Sequence, residues 1–236
     1  VAHPQAAVEV EQNVVVRPDA GGDGHGACLS SPPMLRLVLL GLLACTLLLA
    51  ACGGDDNTTE SAATPTATAD SGPAPLDGSK TYVATVSTSM GDFEITLDPK
   101  QAPKTGGSFK SLADKGFYDG LKFHRVVPGF VIQGGDPNGD GTGGPDYTVE
   151  EAPPQDLQYT KGVVAMAKTG AEPAGTSGSQ FFVVTADDAQ LPPDYALLGK
   201  VTSGQDVVDK IGKVKTDATE QPVKPVAIKS IKVSES

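Results

Sequence analysis

The sequence predicts a mainly β domain, a barrel with two short helical plugs, carried behind a long non-globular N-terminal portion. Two observations lead there. From residue 79 onward the chain breaks into short alternating or apolar runs punctuated by Gly, Pro, Asn and Asp, and only two stretches carry helical spacing. Ahead of residue 79 lie an apolar run and a low-complexity segment with neither period. A chain of 236 residues that is 39% hydrophobic suits one globular domain with attachments.

The elements follow in order. "TYVATVST" (81–88) and "DFEITL" (92–97) alternate and flank "SMG", the pattern of a hairpin. "APKTGGSFKSLADKG" (102–116) has Pro103 near its start, Phe109 and Leu112 at i and i+3, and Gly116 at its end, so it reads as a helix. Its adjacent Gly106 and Gly107 cost about 1 kcal/mol each relative to Ala, which weakens the first turn. Strand-like runs follow at "FHRVV", "GVVAMA", "SQFFVVTA", "YALLGKV" and "VAIKSIKV", with a second helix at "GQDVVDKI" (204–211). Many short strands with two helices point to a barrel.

The N-terminal portion reads as an address. From Met34, "MLRLVLLGLLACTLLLAACGG" (34–54) has one basic residue, Arg36, then an apolar run and small residues before Cys52. The run suits a signal peptide and is short for a span of about 20 residues; an uncleaved membrane anchor is the alternative. "LAAC" (49–52) resembles the lipobox of bacterial lipoproteins, which implies lipidation of Cys52, with Cys45 as a second candidate. Residues 1–33 precede an in-frame Met and read as an upstream extension, 34–51 as the signal peptide, and 52–78 as the lipidated Cys followed by a disordered linker. That linker has almost no large apolar side chain with which to offset ordering entropy. Residues 79–236 form the folded domain.

Composition excludes several chemistries. A net charge of −11 argues against nucleic acid and anionic membrane surfaces, which need clustered Lys and Arg. The cysteines are Cys28, Cys45 and Cys52, so the domain has no thiol for a disulfide or metal site, and His124 is its one histidine. No metal site is expected. Asp136, Asn138, Asp140 and Gly141 open like an EF-hand loop, but Tyr147 stands where the bidentate Glu belongs. Gly139, Gly141 and Gly144 fit G-x-G-x-x-G, yet Pro145 follows where a phosphate-binding helix would begin.

"FHRVVPGFVIQGGD" (123–136), "GVVAMAKTGAEPAGTSGSQFFVVT" (162–185) and "LLGKV" (197–201) occur in the order and spacing of the cyclophilin family of peptidyl-prolyl isomerases, which the chain resembles from about Tyr82 to Val233. The resemblance implies an eight-stranded antiparallel closed β-barrel capped by two α-helices, monomeric and cofactor-free, with an outer groove for proline-containing polypeptides. It implies that Arg125 donates toward the prolyl nitrogen as the amide twists, that Gln133 hydrogen-bonds Arg125 and the peptide, and that Phe130 completes the catalytic set. Val131, Met166, Ala167, Lys168, Gln180, Phe182, Leu191 and Tyr195 match the substrate-binding residues. Departures from the common pattern are Tyr195 for His, Lys168 for Asn, Val131 for Met and Gln190 for a pocket-edge Trp. The combined expectation is an isomerase, lipid-anchored at the outer face of the cell membrane, that assists folding of exported proteins. A peptide-binding chaperone without turnover and a scaffold lipoprotein are the alternatives.

Overall fold

A computed structural model describes residues 72–236, so the segments read as an upstream extension and a signal peptide, Cys52 and most of the expected linker lie outside the described residues. The elements are β1 (Tyr82–Thr88), β2 (Gly91–Leu97), α1 (Pro103–Asp114), β3 (Phe123–Val127), β4 (Val131–Gly134), β5 (Val149–Glu150), β6 (Val163–Met166), β7 (Thr176–Ser177), β8 (Phe181–Val184), β9 (Leu197–Ser203), α2 (Gln205–Ile211) and β10 (Ile228–Glu235). Eight strands make one sheet in the order β10-β1-β2-β9-β6-β8-β4-β3, with β5 and β7 paired separately. β1 and β2 form the hairpin read from the alternating sequence, and every second residue of β1 is buried.

The expected closed barrel is not formed. The sheet curls into a half-barrel whose edge strands, β3 and β10, share no ladder. The segments leading into them meet at a single bridge, Lys122 with Ala227, where Phe123 N–H donates to the Val226 carbonyl at 3.0 Å and Ile228 N–H to the Leu121 carbonyl at 2.7 Å. Farther along β3, Val126 N–H donates instead to the Glu220 carbonyl at 2.8 Å. The loop before β10, not β10 itself, therefore covers that stretch of the edge.

β3, β4, β6 and β8 are buried on both faces. Phe123, Val126, Ile132, Val164, Met166, Phe181 and Val183 point into an enclosed core shared with Phe109 and Leu112 of α1 and Val208 and Ile211 of α2. Val127, Val131, Val163, Ala165, Phe182 and Val184 form a second apolar cluster on the opposite face. A period of two sorts neighbours onto different faces, and the second face carries the site.

α1 lacks a side-chain cap of its own. Glu151 supplies one from outside: its carboxylate accepts from Lys104 N–H at 3.0 Å and Thr105 N–H at 2.7 Å. Gly106 and Gly107 have a packing reason. A Cβ on Gly106 would lie 2.5 Å from Leu76 Cδ1, and one on Gly107 would collide with the Ala74 carbonyl oxygen. Residues 73–77 thus lie across the helix, Leu76 is buried in the enclosed core, and its N–H donates to the Pro103 carbonyl. The boundary expected at Ser79 falls a few residues late.

Candidate active site

The site begins with a break in the β3 ladder. Phe123 pairs with Gly134 and Arg125 with Gln133, so His124 is an extra residue opposite none on β4. In an unbroken strand Phe123 and Arg125 would share a face. The bulge places Phe123 in the enclosed core and Arg125 beside Gln133.

From Arg125 a row of partners crosses the sheet: Gln133 on β4 opposes Phe182 on β8, and Phe182 opposes Ala165 on β6. Phe130 sits at the turn between β3 and β4, where its carbonyl accepts from Thr185 N–H at 2.8 Å and Ala186 N–H at 3.2 Å. Phe130, Val131, Ala167, Phe182, Leu191 and Tyr195 belong to the second apolar cluster. The Phe182 and Tyr195 rings meet edge to face, 5.5 Å between centroids at 90°. A cation thus lies at the margin of an aromatic floor.

Gln133 donates through Nε2 to Gln180 Oε1 at 3.0 Å, and Gln180 Nε2 donates to the carbonyls of Gly141 and Gly143. The loop that holds Gln180 is itself folded around Asp136, whose carboxylate accepts from the N–H groups of Asn138, Asp140 and Gly141. Those bonds occupy the oxygens that an EF-hand would turn toward calcium, and among the described residues no group of His, Cys, Asp or Glu is arranged to hold a metal ion.

Arg125 is 6% exposed. Its Nε donates to Glu220 Oε2 at 2.6 Å, and Nη1 is buried without a hydrogen-bond partner among the described residues. Burial lowers the guanidinium pKa below its ordinary value and the Glu220 carboxylate works against that shift. An arginine retains its proton at neutral pH in either case. Burial pushes the Tyr195 hydroxyl up to about 12, with the Asp194 charge acting the same way and Arg125 opposing.

Two expected substrate contacts differ. Met166 lies in the enclosed core, paired with Phe181 on the face opposite Ala165 and Ala167, so it is walled off from the second apolar cluster. Lys168 packs beside the second apolar cluster, its ammonium 5.8 Å from the Tyr195 ring centroid and 2.8 Å from Asp194 Oδ2, and it donates to the carbonyls of Thr169 and Glu172. Its side chain is thus already engaged.

Sequence reasoning missed Tyr159 and Glu220. The Tyr159 hydroxyl donates to the Tyr195 carbonyl at 2.6 Å and accepts from Tyr195 N–H at 3.0 Å, fixing the segment that carries Tyr195. Glu220 is 95 residues from Arg125, and the faint signal for it is the Asp-x-Thr turn chemistry at Asp217 and Thr219.

The family model for cyclophilin type peptidyl-prolyl cis-trans isomerases matches residues 83–233. A peptidyl-prolyl cis-trans isomerase of Arabidopsis thaliana is 37% identical over 153 residues, 63% of this chain and 92% of the relative. Peptidyl-prolyl cis-trans isomerase A of Mycobacterium tuberculosis is 40% identical over 172 residues, 65% of this chain and 93% of the relative. Among solved structures, a cyclophilin type isomerase of Cryptosporidium parvum superposes with a TM-score of 0.61 at 33% identity, covering 65% of this chain and 98% of that one. The same protein in the presence of the dipeptide Ala-Pro gives 0.60 at 32% identity, covering 64% and 98%. With the half-barrel, the two helices and the match over residues 83–233 in agreement, the chain belongs to the cyclophilin-type peptidyl-prolyl cis-trans isomerases.

Proposed function

We propose that the chain accelerates rotation about Xaa-Pro bonds in exported polypeptides, with Arg125 as the electrostatic catalyst, and assists their folding at the outer face of the membrane. Amide resonance sets a barrier of about 18–20 kcal/mol, and localising the nitrogen lone pair lowers it. Arg125 Nη1 donates to that nitrogen as the amide twists, a bond stronger in the twisted state than in either planar one. Gln133 orients the peptide, and Phe130, Val131, Phe182 and Leu191 receive the prolyl ring, while Ala167, the Lys168 main chain, Gln180 and Tyr195 line its path. The observation that carries this reading is a buried guanidinium nitrogen without a partner among the described residues at the edge of an apolar floor. The Ala-Pro dipeptide recorded with the Cryptosporidium parvum structure supports the ligand class.

Export and anchoring rest on the signal-like run from Met34 and the lipobox-like "LAAC" ending at Cys52. A diacylglyceryl group brings two acyl chains, enough for stable anchoring where one is marginal. Two measurements test the whole. Exchange spectroscopy on proline-containing peptides must show catalysis by the chain. A labelled fatty acid must enter the protein and be absent from the Cys52→Ala variant; label that persists there moves the anchor elsewhere.

A further inference from the structure

We propose that Glu220 is a positioning residue for the isomerase reaction: it holds Arg125 by Nε so that Nη1 remains the donor facing the prolyl amide. The proposal deepens the reading of Arg125 given above and depends on it.

Four observations carry it. The contact is a charge-assisted bond of 2.6 Å between an arginine side chain 7% exposed and a glutamate side chain 41% exposed. The glutamate is fixed by its own main chain to the strand it serves, because its carbonyl accepts from Val126 N–H, the residue next to Arg125. Its backbone stands at φ +64, in the left-handed region where a side chain is disfavoured and glycine would fit at no cost. The surrounding turn is built to hold that conformation: Asp217 accepts from Thr219 N–H, the Thr219 hydroxyl and Gln221 N–H, and the Asp217 carbonyl accepts from Glu220 N–H. A disfavoured backbone is maintained at the position that delivers a carboxylate to Arg125.

Stability alone does not account for this arrangement. The carboxylate offsets the burial of Arg125, but its own side chain is 41% exposed and screened by water, and a glycine at residue 220 would relieve the backbone. Positioning does. A free arginine side chain samples many rotamers, and each productive encounter would have to freeze one of them. Glu220 freezes it beforehand through Nε, a nitrogen the chemistry does not use, and leaves the far side of the guanidinium to the substrate. The interaction reaches the reacting bond only through Arg125.

The test uses the full chain with Glu220→Gln, Glu220→Ala and Glu220→Gly, measuring kcat and KM separately on a proline-containing peptide. Expected is a fall in kcat of about tenfold for Ala and Gly with KM changed less than twofold, and an intermediate value for Gln, which keeps an acceptor but not the charge. The Arg125 side-chain Nε–H resonance, protected from water exchange in the parent, should lose that protection in the Ala and Gly variants. A kcat within twofold of the parent in a folded Glu220→Ala or Glu220→Gln protein overturns the proposal, as does a rise in KM at constant kcat. An inactive parent, or a parent indifferent to Arg125→Ala, would overturn the reading of Arg125 and this proposal with it. An active, Arg125-dependent parent with an indifferent Glu220 overturns this proposal alone.

Discussion

Phe123 and Arg125 stand two positions apart on one strand yet face opposite sides of the sheet, because His124 is an extra residue between them while their ladder partners Gly134 and Gln133 are consecutive. One side of β3 thereby contributes a phenyl ring to the enclosed core and the other a cation beside Gln133. The arginine's position follows from backbone geometry before any side-chain contact is considered.

Arg125→Ala should lower kcat/KM about a hundredfold or more, the usual loss when one transition-state donor is removed, and leave the fold intact because the side chain lies outside the enclosed core. Peptide exchange spectroscopy and circular dichroism on the same samples check both halves. Near-full activity in a folded variant would remove the electrostatic mechanism.

Tyr159→Phe deletes a hydroxyl that satisfies both backbone groups of Tyr195. The expected cost is about 2 kcal/mol of stability for the buried groups left unpaired. Because Tyr195 packs edge to face on Phe182, KM should rise severalfold while kcat moves less than twofold. Urea unfolding and steady-state kinetics separate the two effects.

Much of this was legible in the sequence, and the rest was hidden for identifiable reasons. β1 and β2 alternate, and α1 is framed by Pro103 and Gly116, so one period and two punctuating residues sufficed. In β8 all four residues are buried, and periodicity cannot tell Phe181, which faces the enclosed core, from Phe182, which belongs to the second apolar cluster. Met166, expected from the resemblance among the substrate-binding residues, points from β6 into the enclosed core, a side that the apolar run around it does not reveal. The open seam and the Glu220 contact depend on chain segments about a hundred residues apart, over which local pattern carries no information.

Gly107→Ala separates helix propensity from packing. In the full chain the new methyl collides with the Ala74 carbonyl, so the variant should lose about 1–3 kcal/mol. In a chain beginning at Ser79 the obstacle is gone, and the same change should add about 1 kcal/mol relative to its glycine parent. Equal effects in both chains would mean that residues 73–77 do not lie on the helix.

His124 should make stability fall with acidity. Both its ring nitrogens are buried without hydrogen-bond partners among the described residues, and burial first, then the Arg125 charge, lowers its pKa, with Asp136 and Asp140 opposing. Above its ordinary value of 6.5 the imidazole is neutral folded and unfolded. As the pH falls through that value the unfolded chain takes up a proton first, so stability declines until the lower folded pKa is passed. Urea midpoints between about pH 7.5 and 5.5 should fall for the parent and stay flatter for His124→Leu, a window set above the ordinary carboxylate range. Parallel slopes would show that another group titrates.

The pairing of β1 with β10 bears on how the chain reaches this state. Tyr82 lies opposite Glu235, and Thr81 and Ser236 exchange both backbone hydrogen bonds, so β1 finds β2 at once but waits for a partner about 150 residues away. Closing so large a loop is slow. Until β10 arrives, one side of a β-branched strand stands open to any other chain in the same condition. Refolding from urea should therefore be slow, and its yield should drop as protein concentration rises, with aggregates seeded by residues 82–88.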